Sequence, residues 1–229
     1  MDESSFDTKK VSHFEEIARK AVVAYDQLFL MALAVLSDNE NSEKNVLVVG
    51  CGTGKELLTF AEKKKNWKLT GVDPSEEMIN VSREKIQENK LNGRVSLLHG
   101  VVNQLPEEKE FDASTVIFVL RFIPEDSEKL SLLKDISDRL KPGARIVIVD
   151  QFGEREDDSF RGLVEDWKKY MLYNGIPSEV QNKIAEHAMA RSVVSEESIK
   201  KLLGKAGFNR IKTFYQAFTN IGYVAYKQN

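Results

Sequence analysis

The chain has 229 residues, 41% of them apolar and 30% charged, which is enough material for a large hydrophobic core and too apolar for a disordered tract. Thirty-three basic against thirty-six acidic side chains leave a formal net charge of -3, so the electrostatic footprint of a protein that grips a phosphate backbone is missing and nucleic acid is not the expected partner. A single cysteine, Cys51, cannot close an intramolecular disulfide, no Cys/His cluster has zinc spacing, Leu28 to Leu36 falls short of the ~20 residues a bilayer span needs, and Asp2 and Glu3 stand where a signal peptide would be basic. A cytoplasmic chain with no membrane partner is the expectation.

From Val11 to Leu36 the residues Phe14, Ile17, Ala21, Val22, Tyr25, Leu28, Phe29, Ala32 and Leu36 recur at three- and four-residue steps, which predicts amphipathic helix, either one long or two short. Ser37 to Lys44 is polar and turn-rich. Asn45 to Val49 then runs apolar and β-branched without alternation, as a strand buried on both faces does. Further strands are predicted at Lys68 to Val72, Arg94 to His99, Ala113 to Val119 and Ala144 to Val149, alternating with helical patterns in the doubly wound rhythm. Between Gln151 and Arg191 two stripes, Phe160, Leu163, Trp167, Met171, Leu172 and Val180, Ile184, His187, Ala188, predict helices inserted above the sheet. Ser195 reads as an N-cap and Gly207 as a C-terminal cap. Arg210 to Gln216 and Gly222 to Lys227 are too close for a parallel crossover and so predict an antiparallel hairpin. The expected architecture is α/β: a single domain over 1–229, with a doubly wound, Rossmann-like, mainly parallel seven-stranded sheet. A helical cap at 6–36 and inserted helices at 154–190 would cover it.

The string NVLVVGCGTGKE places Gly50, Gly52 and Gly54 after a buried strand and before the helical run Glu56 to Lys63. Glycines there let the backbone turn tightly and approach a ligand, and the helix that follows offers free N–H groups. A P-loop would need glycine at Val49 and Ser or Thr at Glu56, and a dinucleotide turn would need glycine at Lys55, so neither fits. Asp73 ends the second strand, LTGVD, at the place from which a carboxylate accepts from both ribose hydroxyls in a nucleoside-binding sheet. Taken singly, the loop could be a plain βα turn and Asp73 a helix cap ahead of Pro74, Glu76 and Glu77. Both features in this order favour a nucleoside site.

With these motifs, and with FDASTVIFVLRFIP and LKPGARIVIVD further on, the chain resembles the class I S-adenosylmethionine-dependent methyltransferases over nearly all its length. The resemblance implies an enzyme whose cofactor is S-adenosyl-L-methionine. Gly50, Cys51 and Gly52 would support the methionyl part, Asp73 the ribose and Pro74 the adenine. Backbone at Ile117 and Phe118 would face the methionine amine, and Val101 and Val102 would offer backbone contacts to the adenine. Two positions depart from the family pattern: Val48 stands where the family has an acid, and Val101 where it tends to have an aspartate. The terminal segments are similar to the carboxy-S-adenosylmethionine synthases of tRNA modification, through Phe6-Asp7, His13 to Val23, Tyr25, Lys205 to Phe208 and FYQAFTNIGYVAYK. In that branch an arginine binds the extra carboxylate, and Ile184 falls at its place, beside Lys183. The resemblance therefore implies methyl transfer to a small-molecule acceptor, with carboxy-S-adenosylmethionine synthesis from prephenate, or non-catalytic binding, as alternatives. A homodimer stays open.

Displacement at a sulfonium is governed by positioning, which is worth roughly 7–11 kcal/mol, more than a general base supplies, so the absence of a recognisable catalytic dyad excludes nothing. The acceptor-side candidates are Tyr25 and Arg121 as catalytic residues, with His187 behind them. Their plainer readings are a core tyrosine, an arginine paired with Glu125 or Asp126, and a packed histidine. The acidic run Asp150, Glu154, Glu156, Asp157 and Asp158 reads as a solvated loop, and no metal is expected.

Overall fold

A computed structural model of the chain describes residues 15–39, 41–106, 110–190 and 193–228. Phe6, Asp7, His13 and Arg191 lie outside the described residues. The strands are β1 (Lys44–Val49), β2 (Trp67–Asp73), β3 (Val95–His99), β4 (Phe111–Ile117), β5 (Leu140–Gln151), β6 (Phe208–Ala217) and β7 (Asn220–Lys227). The helices are α1, described over 15–21, α2 (Tyr25–Leu36), α3 (Lys55–Lys63), α4 (Glu76–Glu88), α5 (Asp126–Asp138), α6 (Asp158–Tyr173), α7 (Ser178–Ala190) and α8 (Glu196–Lys205). All seven strands join one sheet in the order β3-β2-β1-β4-β5-β7-β6. β1 to β5 pair in parallel, and β7 is antiparallel to both of its neighbours.

The unalternating strands follow from cover on both faces. Leu47 and Val49 of β1 pack with α5 and α8, while Val46 and Val48 pack with α2, α3 and α4. A third cluster, Ala21, Phe160, Val164, Trp167, Met171, Ile176, Ala185 and Ala188, joins α1 to α6 and α7. Strand order reverses between β1 and β4, so the crevice at their carboxyl ends is where ligands of such sheets collect. Among the described residues no helix is long and apolar enough to cross a membrane.

One open alternative resolves to two short helices, and three details differ from the expectations. The amphipathic run 11–36 breaks at 22–24, where Ala24 takes φ 54. Remote side chains hold that break: Trp167 Nε1 donates to the Ala21 carbonyl at 2.6 Å and the Tyr215 hydroxyl to the Val23 carbonyl at 2.9 Å. β4 stops at Ile117 rather than Val119, because Phe118 turns to φ 60 and a 3-10 turn, Leu120–Phe122, follows. On α6 the inward face is Phe160, Val164, Trp167 and Met171, which leaves Leu163 and Leu172 exposed. His187 likewise lies on the outer face of α7. Ser195 caps α8 as expected, its Oγ accepting from Ser198 N at 3.1 Å, and Gly207 takes φ 87 just past the helix.

Candidate functional site

The loop between β1 and α3 is pinned by backbone bonds. Gly50 N and Cys51 N both donate to the Val72 carbonyl, at 2.8 and 3.1 Å, and Gly54 N donates to the Cys51 carbonyl at 2.9 Å. A Cβ on Gly50 would stand 2.4 Å from Val119 Cγ2, so that glycine is required by close packing. A Cβ on Gly52 would meet nothing within 4 Å, although its φ of 50 still favours glycine. Gly52 is thus the point of the loop that faces open space.

Asp73 and this loop form one unit. The buried Asp73 carboxylate accepts from Gly52 N at 2.9 Å through Oδ2 and from Ser75 N at 2.9 Å through Oδ1. The N-cap of α4 is Ser75, whose Oγ accepts from Met78 N at 3.3 Å, so Asp73 stands two residues ahead of the cap and holds it. Each carboxylate oxygen has two acceptor directions, and one protein donor apiece leaves capacity for two hydroxyls. Around it, Gly100 N donates to the Asp73 carbonyl at 2.9 Å, and His99 Nε2 lies 3.2 Å from the Pro74 carbonyl. Val101 is exposed, with its N–H given to Gln104 Oε1 at 3.0 Å, whereas the Val102 side chain is buried in the core under β3 and β4.

At the end of β4, Ile117 is buried and Phe118 N donates to the Val149 carbonyl at 2.7 Å. The Arg121 guanidinium lies 4.7 Å from the centre of the Phe118 ring. Its Nε donates to Asp150 Oδ1 at 2.5 Å and its backbone N to Asp150 Oδ2 at 3.1 Å. The partner of Arg121 is therefore a residue on the neighbouring strand rather than Glu125 or Asp126. Arg121 Nη2 is buried without a hydrogen-bond partner. Asp150 leaves the solvated acidic run through this pairing, and Asp157 leaves it by capping α6, accepting from Ser159 N at 2.9 Å.

Tyr25 opens α2 with its ring edge-on to Phe29 at 5.2 Å, and burial, helped by Glu15, Asp26 and Glu56, pushes its hydroxyl up to about 12. It is a hydrogen-bond donor near neutral pH, with no share of phenolate to act as a base. Glu15 of α1 reaches over the loop, accepting from Thr53 Oγ1 at 2.7 Å and Lys85 Nζ at 2.5 Å. Burial alone would raise the Glu15 carboxyl, but the bonds from Lys85 and Thr53 outweigh it and hold the group below its usual range. Asp26 of α2 ties the cover to α3 through Lys55 Nζ at 2.9 Å.

One residue of the site escaped the motif reading. Glu56, in the first turn of α3, is 6% exposed and shares a buried stripe with Leu57, Phe60 and Ala61. Burial pushes its carboxyl up to about 7, with the Thr115 hydroxyl opposing the shift. Its place four residues before Phe60, on the apolar side of the helix, was the available signal.

Residues 46–143 match the family model described as a methyltransferase domain. The carboxy-S-adenosyl-L-methionine synthase of Shewanella sediminis is 26% identical over 97% of this chain and 92% of its own. Among solved structures, an S-adenosylmethionine-dependent methyltransferase from Clostridium acetobutylicum superposes with a TM-score of 0.69 at 15% identity, covering 97% of this chain and 99% of that one. The S-adenosylmethionine-dependent methyltransferase SibL in its apo form gives 0.63 at 18% identity over 90% of this chain. The chain spans 56% of that protein's length. The two structural likenesses are likenesses of fold.

Proposed function

Because the chain belongs to the class I S-adenosylmethionine-dependent methyltransferases, we propose that residues 50–54 and Asp73 hold S-adenosylmethionine and that the acceptor is a small molecule. The single observation that carries this reading is the bond from Gly52 N to Asp73, which makes the turn and the acid one preorganised cradle. The residues fit the group: each Asp73 oxygen keeps an acceptor direction for a ribose hydroxyl, and Gly52 faces open space on the same side. When bound, S-adenosylmethionine supplies a methyl group on a sulfonium, which an acceptor nucleophile displaces in line.

The chain's own residues then have positioning tasks. Backbone at Gly50, Cys51 and Gly52 follows the methionyl part and backbone at Ile117 and Phe118 borders it. Pro74 lies against the adenine, and Val101 and Val102 flank it from the turn after β3, where the engaged N–H of Val101 leaves carbonyl and apolar contacts. On the acceptor side, Tyr25 offers a hydroxyl donor, and Arg121 keeps Nη2 for an acceptor oxygen while Asp150 fixes its orientation. α1 and α2, tied down through Glu15 and Asp26, exclude water from above. The buried thiol of Cys51 suits the cytosol, where we place the enzyme. Calorimetric titration with S-adenosylhomocysteine tests the reading: wild type binds it, and Asp73→Ala binds it more weakly. Equal affinity in the two removes Asp73 from the site.

A second reading, carboxy-S-adenosylmethionine synthesis, is favoured by the match to the Shewanella enzyme over 97% of the chain. Against it, Ile184 packs in the apolar cluster of α6 and α7, and the exposed Lys183 is paired with Glu179 at 2.8 Å. Incubation with S-adenosylmethionine and prephenate, followed by mass spectrometry of the nucleoside, decides between them. A mass gain of one carboxyl group establishes the second reading, and its absence removes it.

A further inference from the structure

Glu56 is a buried ionisable group to which the reading above assigns no task. It is 6% exposed, and its Oε1 has no hydrogen-bond partner. A carboxyl buried in this way ordinarily finds a cation or several donors, because leaving it unpaired is costly. The groups around it do not provide one. From β4 comes the Thr115 hydroxyl, from α2 the Tyr25 phenol and from the loop the Cys51 thiol. On α3 itself, the neighbouring Lys55 is paired with Asp26. Among the described residues, the groups placed around Glu56 are hydroxyl and thiol donors, and the one neighbouring cation on α3 is already paired.

Strand register shows why the acid comes from the helix. Val48 of β1 and Thr115 of β4 are cross-strand partners, so both side chains project from the face that carries α2 and α3. Position 48 is the point on β1 nearest to Thr115, and it is apolar. Glu56 brings a carboxyl to that same spot from above.

On the premise that the loop and Asp73 hold S-adenosylmethionine, we propose that Glu56 receives the α-ammonium group at the cofactor's methionyl end. The cofactor then supplies the cation that the pocket lacks, and the uncompensated carboxyl of the free protein becomes a recognition element for the amino-acid tail.

Two calorimetric probes test this: S-adenosylhomocysteine and 5′-methylthioadenosine, which share nucleoside and thioether while the first alone carries the ammonium group. Glu56→Gln weakens S-adenosylhomocysteine by about tenfold or more at about pH 8 and leaves methylthioadenosine unchanged. In wild type, S-adenosylhomocysteine affinity rises about tenfold between about pH 6 and pH 8, because a carboxyl held at about 7 by burial must be ionised to receive the ammonium. With methylthioadenosine, or in Glu56→Gln, the profile is flat. Glu56→Leu, which fills the same apolar stripe, shows the same selectivity while melting no lower than wild type. The proposal is overturned if either variant binds S-adenosylhomocysteine as wild type does, or loses both probes equally. If wild type binds neither probe, or Asp73→Ala leaves both unaffected, the underlying cofactor reading fails and the assignment of Glu56 goes with it.

Discussion

The two halves of the sheet's carboxyl edge are held by different kinds of bond. On the β1–β2 half the turn and the acid are joined by backbone donors within one βαβ unit: Gly52 and Ser75 to Asp73, Gly50 and Cys51 to the Val72 carbonyl. On the β4–β5 half and under the helical cover, side chains reach across the chain: Arg121 to Asp150, Trp167 to Ala21, Tyr215 to Val23. A cradle of backbone bonds tolerates exchange of most side chains around it and suits a ligand whose shape never changes. A wall of side-chain bonds can be altered by one or two substitutions, which suits a ligand that differs from one relative to the next. On the proposed reading, the cofactor belongs to the first half and the identity of the acceptor to the second.

Removing the Arg121–Asp150 ion pair of the second half should have the largest effect. Arg121→Ala strips the cation from a carboxylate that is 1% exposed, and an uncompensated buried charge costs about 3–5 kcal/mol, read as a fall in the midpoint of denaturant unfolding. Adding Asp150→Asn should recover most of that loss, and if it does not, the pair is not what holds this half together.

Next in size is the pH dependence that Glu56 gives the free protein. Its carboxyl sits at about 7 when folded against an ordinary 4.5, so the folded state binds the extra proton. Stability from this group is therefore present below about pH 4.5 and is lost as pH rises towards 7, by roughly 3 kcal/mol. The difference in unfolding free energy between wild type and Glu56→Gln should trace that slope across the interval. A constant difference would mean that Glu56 does not titrate there.

In the backbone-held half, Asp73→Ala should cost about 1–3 kcal/mol of S-adenosylhomocysteine binding, since it removes the proposed ribose acceptors and also the anchor of Gly52. Smallest is Tyr215→Phe, which loses one hydroxyl bond to the Val23 carbonyl and should cost about 1 kcal/mol. Hydrogen exchange should quicken around residues 21–25 and stay unchanged at 50–54, and equal quickening in both segments would erase the distinction drawn here.

The same contrast decides what could be read from the residues alone. β1, the glycine turn and Asp73 follow one another within a short stretch, so composition and spacing expose them, and the Gly52–Asp73 bond is the physical form of that spacing. The end of β4 was misplaced because Phe118 and Val119 continue an apolar run, and the positive φ that ends the strand leaves no mark in residue type. Arg121 suggested nearby acids at Glu125 and Asp126, but sheet register brings Asp150 alongside, and register between strands is a tertiary property. Leu163 and Leu172 looked like members of an inner stripe, yet only a third helix could show that the core side of α6 runs through Val164 instead. Glu56 was legible in principle, as an acid on an apolar stripe, and became conspicuous only with Thr115 and Val48 set opposite it.

The insertion of β7 between β5 and β6 has a consequence for synthesis. Five strands can pair in parallel as the chain leaves the ribosome, but the outer margin of β5, from Arg145 to Gln151, finds its mate only in residues 220–226. Until that late segment emerges, the nascent sheet carries a long, apolar and open border of the kind that other chains add to. A translational arrest before residue 208 should therefore yield a product that seeks chaperones or its own copies.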